Sequence, residues 1–187
     1  MFSIDDLIGR CRAALGEGDT RGAVKEALAR AVSDPAAAAG ALDHERGELA
    51  VLHHAPDLTI LNVVWAPGMT LYPHDHRMWA AIAIYAGQED NTFYRRLPRG
   101  LKASGGKELR DGDVILLGDD TIHSVTNPRR QFTGAIHVYG GDFFATPRSA
   151  WTADALTEHA YDAEEAMEAF RLAERAWLAR RQHPADA

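Results

Sequence analysis

The alternation of apolar and polar positions divides this chain of 187 residues into three stretches. Up to about Gly40 the apolar residues recur at helical spacing. Ile4, Leu7, Ile8, Cys11, Ala14 and Leu15 fall on one face, as one stripe of a helix requires. Ser3 with Asp6 has the form of a capping pair. Gly16-Glu17-Gly18 interrupts this pattern, and a second helix follows Thr20 with Val24, Ala27, Leu28 and Ala31 on its stripe. Asp34-Pro35 ends it, and the alanines after Pro35 predict a short third helix. From about Asp57 the period shortens to that of a strand. Residues 58–65, Leu-Thr-Ile-Leu-Asn-Val-Val-Trp, are rich in β-formers and stop at the turn signal Ala66-Pro67-Gly68. Strand-like runs recur at 80–85, 92–94, 114–117, 122–126 and 133–139, punctuated by Gly105-Gly106, Asp111-Gly112, Gly118-Asp119-Asp120 and Asn127-Pro128. Glu89, Asp90 and Asn91, just after Gly87, read as a polar turn. Helical spacing returns at 163–181, where Ala166, Met167, Phe170, Ala173 and Trp177 share a face. Its acidic start and basic end complement the helix dipole.

Many short strands with turns between them predict a closed or sandwiched all-β core, which removes exposed strand edges. The expected organisation is one domain over 1–187: a helical cap at 1–43, a β-barrel at 44–148 and a C-terminal helical segment at 149–187.

Composition narrows the partners. The chain is 46% hydrophobic and 25% charged, ordinary for a globular protein. Its 27 acidic and 20 basic residues give a net charge of −7, which argues against nucleic acid as a partner, because phosphate binding needs a basic face. No run reaches membrane-spanning length. The segment Met1-Phe2-Ser3-Ile4-Asp5-Asp6 lacks the basic and apolar parts of a secretory leader. Cys11 is the single cysteine, so no internal disulfide forms. The expectation is a cytoplasmic protein in a reducing compartment. It would act on a small molecule with no membrane or nucleic-acid partner, and a homodimer stays open.

The candidate chemistry lies in histidines. In Gly68-Met69-Thr70-Leu71-Tyr72-Pro73-His74-Asp75-His76, two histidines stand two apart in a β-like run and so share a face. His123 stands in a second such run, Thr121 to Asn127. Three neutral imidazoles without a close carboxylate suit a borderline metal such as Fe(II), Zn(II) or Cu(II). They leave coordination positions open for substrate, as a catalytic site requires.

The spacing carries a family resemblance. Gly68, five residues, His74-x-His76 and a strand closing at Gly87 match the first cupin motif. Gly112, five residues, Gly118-Asp119-Asp120, two residues, His123, three residues and Asn127 match the second. Over roughly residues 58–145 the chain resembles the cupin superfamily. The resemblance implies a double-stranded β-helix, a jelly-roll barrel, here with an N-terminal helical cap and a C-terminal helix. The glutamate ligand of the first motif falls at Ala80, and the usual Pro-x-Gly turn of the second reads Gly118-Asp119-Asp120. A three-histidine site within this superfamily is similar to that of the thiol dioxygenases. Their late-strand Ser-x-His-x-Tyr reads Ala135-Ile136-His137-Val138-Tyr139 here, and Trp65 stands nine residues before His74, where cysteine dioxygenases place a tryptophan.

The resemblance implies Fe(II), with Zn, Mn and Ni as alternatives, held by His74, His76 and His123. It implies O2 as cosubstrate, with His137 and Tyr139 as the catalytic pair beside the metal. The implied activity is oxidation of a small thiol to a sulfinate. The alternatives are a dioxygenase acting on a diketone or phenol, a non-oxidative isomerase, and a ligand sensor. Arg77 and Arg95 are candidates for gripping a substrate carboxylate through a bidentate fork; Tyr72 and Trp79 are candidates for the pocket wall. The stretch Ala50-Val51-Leu52-His53-His54 carries no arginine where cysteine dioxygenases place one, which argues against L-cysteine as substrate.

Overall fold

The computed structural model describes residues 2–182. Helices α1 (Ile4–Ala14), α2 (Thr20–Ala31) and α3 (Pro35–Ala39) come first, each capped by a side chain that accepts a backbone N–H: Ser3, Asp19 and Asp34. Eleven strands follow: β1 (Glu48–Ala55), β2 (Leu58–Trp65), β3 (Thr70–Asp75), β4 (Ala80–Ala86), β5 (Gln88–Arg96), β6 (Leu101–Arg110), β7 (Val114–Leu117), β8 (Ile122–Thr126), β9 (Thr133–Tyr139), β10 (Ser149–Trp151) and β11 (Glu158–Ala160). Helix α4 (Ala163–Gln182) is the last described element. No described helix is long and apolar enough to cross a membrane.

The strands form two sheets, ordered β1-β2-β9-β4-β7 and β11-β10-β3-β8-β5-β6, with every recorded pairing antiparallel. From β2 onward the chain crosses from one sheet to the other at nearly every step, the β5–β6 and β10–β11 hairpins being the exceptions. That winding is a double-stranded β-helix. The expected all-β core is therefore present, with the helical cap before it and a helix after it.

The apolar pattern of β2, β4 and β9 explains the layering. Odd positions of β2 (Leu61, Val63, Trp65) join the core between the sheets, together with Ala80, Ile82 and Ile84 of β4 and Ala135 and Tyr139 of β9. The alternate positions (Leu58, Ile60, Ala81, Ala83, Tyr85, Ile136, Val138) face outward, into a second core with Leu7, Cys11, Val24 and Leu28 of the cap. Both faces of the five-stranded sheet are covered, so these strands read as unbroken apolar runs. Buried Cys11 belongs to the outer core, where burial pushes its thiol up to about 12 and leaves it inert. Helix α4 stops one end of the barrel: Ala166 and Phe170 enter the inner core, and Phe170 stacks on Trp65 at 5.0 Å.

Two expectations change. The segment expected to be helical from 149 begins with β10 and β11, which extend the six-stranded sheet to Ala160 before α4 starts. Strands this short leave no period to read, and β10 forms by pairing with β3. The expected polar turn at Glu89-Asp90-Asn91 is the start of β5. The turn is Gly87 alone, at φ +86, where an added Cβ would meet Thr133 Oγ1 at 2.6 Å. Close approach also fixes Gly134, whose missing Cβ would overlap the Tyr85 ring. Gly134→Ala should cost about 1–3 kcal/mol by overpacking, measured by urea denaturation; an unchanged midpoint would show that Tyr85 has room to move.

Candidate metal centre

His74 and His123 face each other as partners in the β3–β8 ladder, and His76 lies just past the end of β3. All three are buried, and ligand atoms from the three lie within 4.8 Å of one another. The ring centroids are 4.7–5.0 Å apart. The expected trio is therefore brought together between the sheets.

Hydrogen bonds set the tautomers of His74 and His123. His74 Nδ1 is 3.0 Å from the Tyr72 carbonyl. A carbonyl only accepts, so Nδ1 carries the proton and Nε2 keeps its lone pair. His123 Nδ1 is 2.6 Å from Asn91 Oδ1, and the same reasoning leaves Nε2 of His123 as a lone pair. That Nε2 lies 3.4 Å from Nε2 of His76, whose Nδ1 is buried without a hydrogen-bond partner. Burial pushes the His74 imidazole down to about 4 and holds His76 and His123 well below the ordinary histidine range, with neighbouring histidines adding to the effect. Neutral rings with nitrogen lone pairs converging in a buried space fit a divalent cation. The three-histidine cluster can hold a metal ion, and the donor set is uncharged: Ala80, where the cupin motif has glutamate, faces the inner core directly opposite Tyr139 in the β4–β9 ladder.

His137 and Tyr139 project from β9 on the inner face, as alternation predicts. Tyr139 lies edge-on to His76 with centroids 5.0 Å apart, and its hydroxyl is 3.1 Å from His137 Nδ1. Burial pushes the Tyr139 phenol far above its ordinary value, so it stays protonated at neutral pH.

The other candidates separate. Tyr72 shares the face of His74 and packs against the inner core, and its hydroxyl is buried without a hydrogen-bond partner among the described residues. Trp79 does not wall the site: it packs with the outer core, beside the helical cap, and covers Gly140. Arg77 does not reach inward either. At φ +56 it turns the chain out of β3, and its half-exposed guanidinium bonds Asp75 at 2.9 Å. Arg95 is exposed near the end of β5. Strand parity could not place Trp79, because the chain leaves the ladder at His76.

Three residues outside the expected set complete the site. Arg148, in the loop between β9 and β10, is 9% exposed. Its guanidinium lies 4.1 Å over the Phe143 ring and 3.9 Å over the Tyr161 ring, and Tyr161 is 5.9 Å from His74. Arg148 Nη1 donates to the carbonyls of Phe143 and Thr146. Nε has no partner, and no carboxylate forms an ion pair with Arg148 among the described residues. Arg148 also lines an open surface cleft with Arg77, Ser149, Glu158 and His159, and Tyr161 beneath its guanidinium connects it to His74. The second and third residues are Glu89 and Asn91. They stand two apart on β5, the same spacing as His74 and His76, so the signal that would have found them is the one that found that pair.

No family model matches the chain. Solved structures similar to it are cupin or double-stranded β-helix proteins. One is an RmlC-like cupin family protein with a double-stranded β-helix fold from Methanocaldococcus jannaschii, 12% identical over 55% of this chain and 86% of that one, with a TM-score of 0.46. A conserved protein with a double-stranded β-helix domain from Klebsiella pneumoniae is 13% identical over 54% of this chain and 77% of that one, with a TM-score of 0.43. Oxalate decarboxylase from Bacillus subtilis is 18% identical over 48% of this chain and 22% of that one, with a TM-score of 0.41.

Proposed function

We propose that the protein is an Fe(II)-dependent dioxygenase that oxidises the sulfur of a small thiol bearing an acidic group. The observation that carries this reading is Arg148, a buried guanidinium with no carboxylate partner among the described residues, set beside a histidine cluster that is itself uncharged. Such a site is positive at two points and suits a substrate with two anionic ends. The metal, when bound, supplies redox chemistry and a Lewis-acidic position that favours a thiolate. Arg148 takes the acidic group at the mouth of the cleft and fixes its distance from the cluster. Trp65, Phe143, Phe170 and Tyr161 line the surrounding space with aromatic surface and exclude water. Tyr139 offers a protonated hydroxyl beside His76, and His137 can take up that proton and return it. Both atoms of O2 end on sulfur as a sulfinate; the oxidation of sulfur balances the reduction of O2, and no external reductant is needed.

The test is O2 uptake by the iron-loaded protein with a panel of thiol acids, amino thiols and neutral thiols. Uptake with sulfinate formation, fastest for thiol acids, is the expected result. Turnover of a diketone or phenol in place of every thiol would overturn the thiol assignment. Full native activity with redox-inert Zn would overturn the dioxygenase class.

A further inference from the structure

We propose that Glu89 is the positioning residue of this centre: a single buried carboxylate that sets the orientation of the metal ligand His123 and of the His137–Tyr139 pair at once. The proposal rests on the metal-centre reading above. Glu89 is fully buried on β5. Its Oε1 accepts the Asn91 amide N–H at 3.0 Å, and its Oε2 accepts the Trp65 indole N–H at 2.9 Å. Oε2 also lies 3.4 Å from His137 Nε2, an ion-pair distance without hydrogen-bond alignment.

The consequence runs along two arms. A carboxylate only accepts, so Asn91 must turn its NH2 toward Glu89 and its Oδ1 toward His123. That orientation forces the proton onto His123 Nδ1 and keeps Nε2 free for the metal. On the other arm, an oxygen acceptor facing His137 Nε2 favours the proton there. Nδ1 is then left to accept from the Tyr139 hydroxyl at 3.1 Å. The chain Tyr139–His137–Glu89 has the order phenol, imidazole, carboxylate, in which the acid group orients the base. Ala135, standing where thiol dioxygenases carry serine, supplies no hydroxyl for this purpose; Glu89, from the opposite sheet, places a carboxylate oxygen 3.4 Å from His137 Nε2 instead.

An amide cannot serve both arms. In Glu89→Gln only one oxygen accepts. If it faces Asn91, an NH2 group meets Trp65 and His137, and the His137 proton moves to Nδ1. If it faces Trp65 and His137, the Asn91 amide must flip, and it then offers a donor to His123 Nδ1. The experiment measures Zn(II) affinity by competition with a chelating dye, and histidine tautomers from long-range 1H–15N spectra of the zinc-loaded and metal-free protein. Wild type should show His123 Nδ1–H with zinc bound and His137 Nε2–H with or without it. Glu89→Gln should either lose about 10–100-fold in zinc affinity, the usual scale for residues that orient ligands, or move the His137 proton. Unchanged affinity together with an unchanged His137 tautomer would overturn the proposal.

Asn91→Leu cuts one arm only and serves also if Glu89→Gln fails to fold. Zinc affinity should fall by the same factor while His137 keeps its tautomer; unchanged affinity would remove the metal arm. A wild type that takes up no zinc would overturn the metal-centre reading instead. The His137 arm is then decided by its tautomer in the metal-free proteins, so the two failures are told apart.

Discussion

His76→Ala should lower divalent-metal affinity more than ~100-fold, beyond the scale of ligand-orienting residues, and abolish metal-dependent activity. The fold should survive, because the barrel closes through backbone ladders and apolar side chains that His76 does not supply. The metal-free protein should also become more tolerant of acid. In the folded chain burial holds His74 near about 4 and His76 and His123 well below the ordinary histidine value; in the unfolded chain all three titrate near ~6.5. Below ~6.5 the unfolded chain therefore binds more protons, and stability falls as the pH falls toward the folded values. Each histidine contributes up to about 1.4 kcal/mol per pH unit in that window and no slope above it. Urea denaturation of metal-free wild type and His76→Ala at several pH values measures the difference. Equal acid sensitivity of the two would show that His76 is not held neutral by burial, and metal binding retained by the variant would remove it from the ligand set.

Arg148→Met should separate binding from stability. Hydrogen bonds to a charged group are worth about 1.5–3 kcal/mol, so KM for an acidic thiol should rise roughly 10–150-fold. The same change should leave KM for a neutral thiol of similar size nearly untouched. Thermal stability should hold or rise, because methionine fills the volume between Phe143 and Tyr161 and removes a buried cation that no carboxylate balances among the described residues. Equal losses for acidic and neutral substrates would mean that Arg148 shapes the cleft and does not read the acid group. A fall of many degrees in Tm would mean that its bonds to the Phe143 and Thr146 carbonyls hold the loop together.

Much of the centre was legible before any coordinates. His74 and His76, and likewise His137 and Tyr139, are pairs at a spacing of two within β-forming runs, and the period of a strand alone puts each pair on one face. The two motif spacings tied His123 to them. The apolar runs 58–65, 80–85 and 133–139 identified the strands that lie between the two cores. These are local properties, set by backbone geometry over a few residues.

What lay beyond the sequence depends on which strand covers which. Glu89 and Asn91 sit in a polar run after a glycine, a pattern shared by turns and by strands. Pairing of β5 with β8 turns them inward, toward His123. Arg77 and Trp79 follow the metal ligands in sequence but turn away from the histidines, Trp79 to the outer core and Arg77 to the cleft that Arg148 lines, because the positive φ of Arg77 takes the chain out of the ladder. Arg148 belongs to an irregular loop with no period to read; the β10–β11 pairing, continued by the Tyr161 N–H bond to the Arg148 carbonyl, sets it over Tyr161, and the β10–β3 pairing brings both beside His74. The sequence by itself determined the ligand histidines, the β9 pair and the layered strands through local periodicity. The tertiary structure alone decided the carboxylate behind the site and the cation in front of it, because a buried charge is placed by long-range pairing that no short window of residues contains.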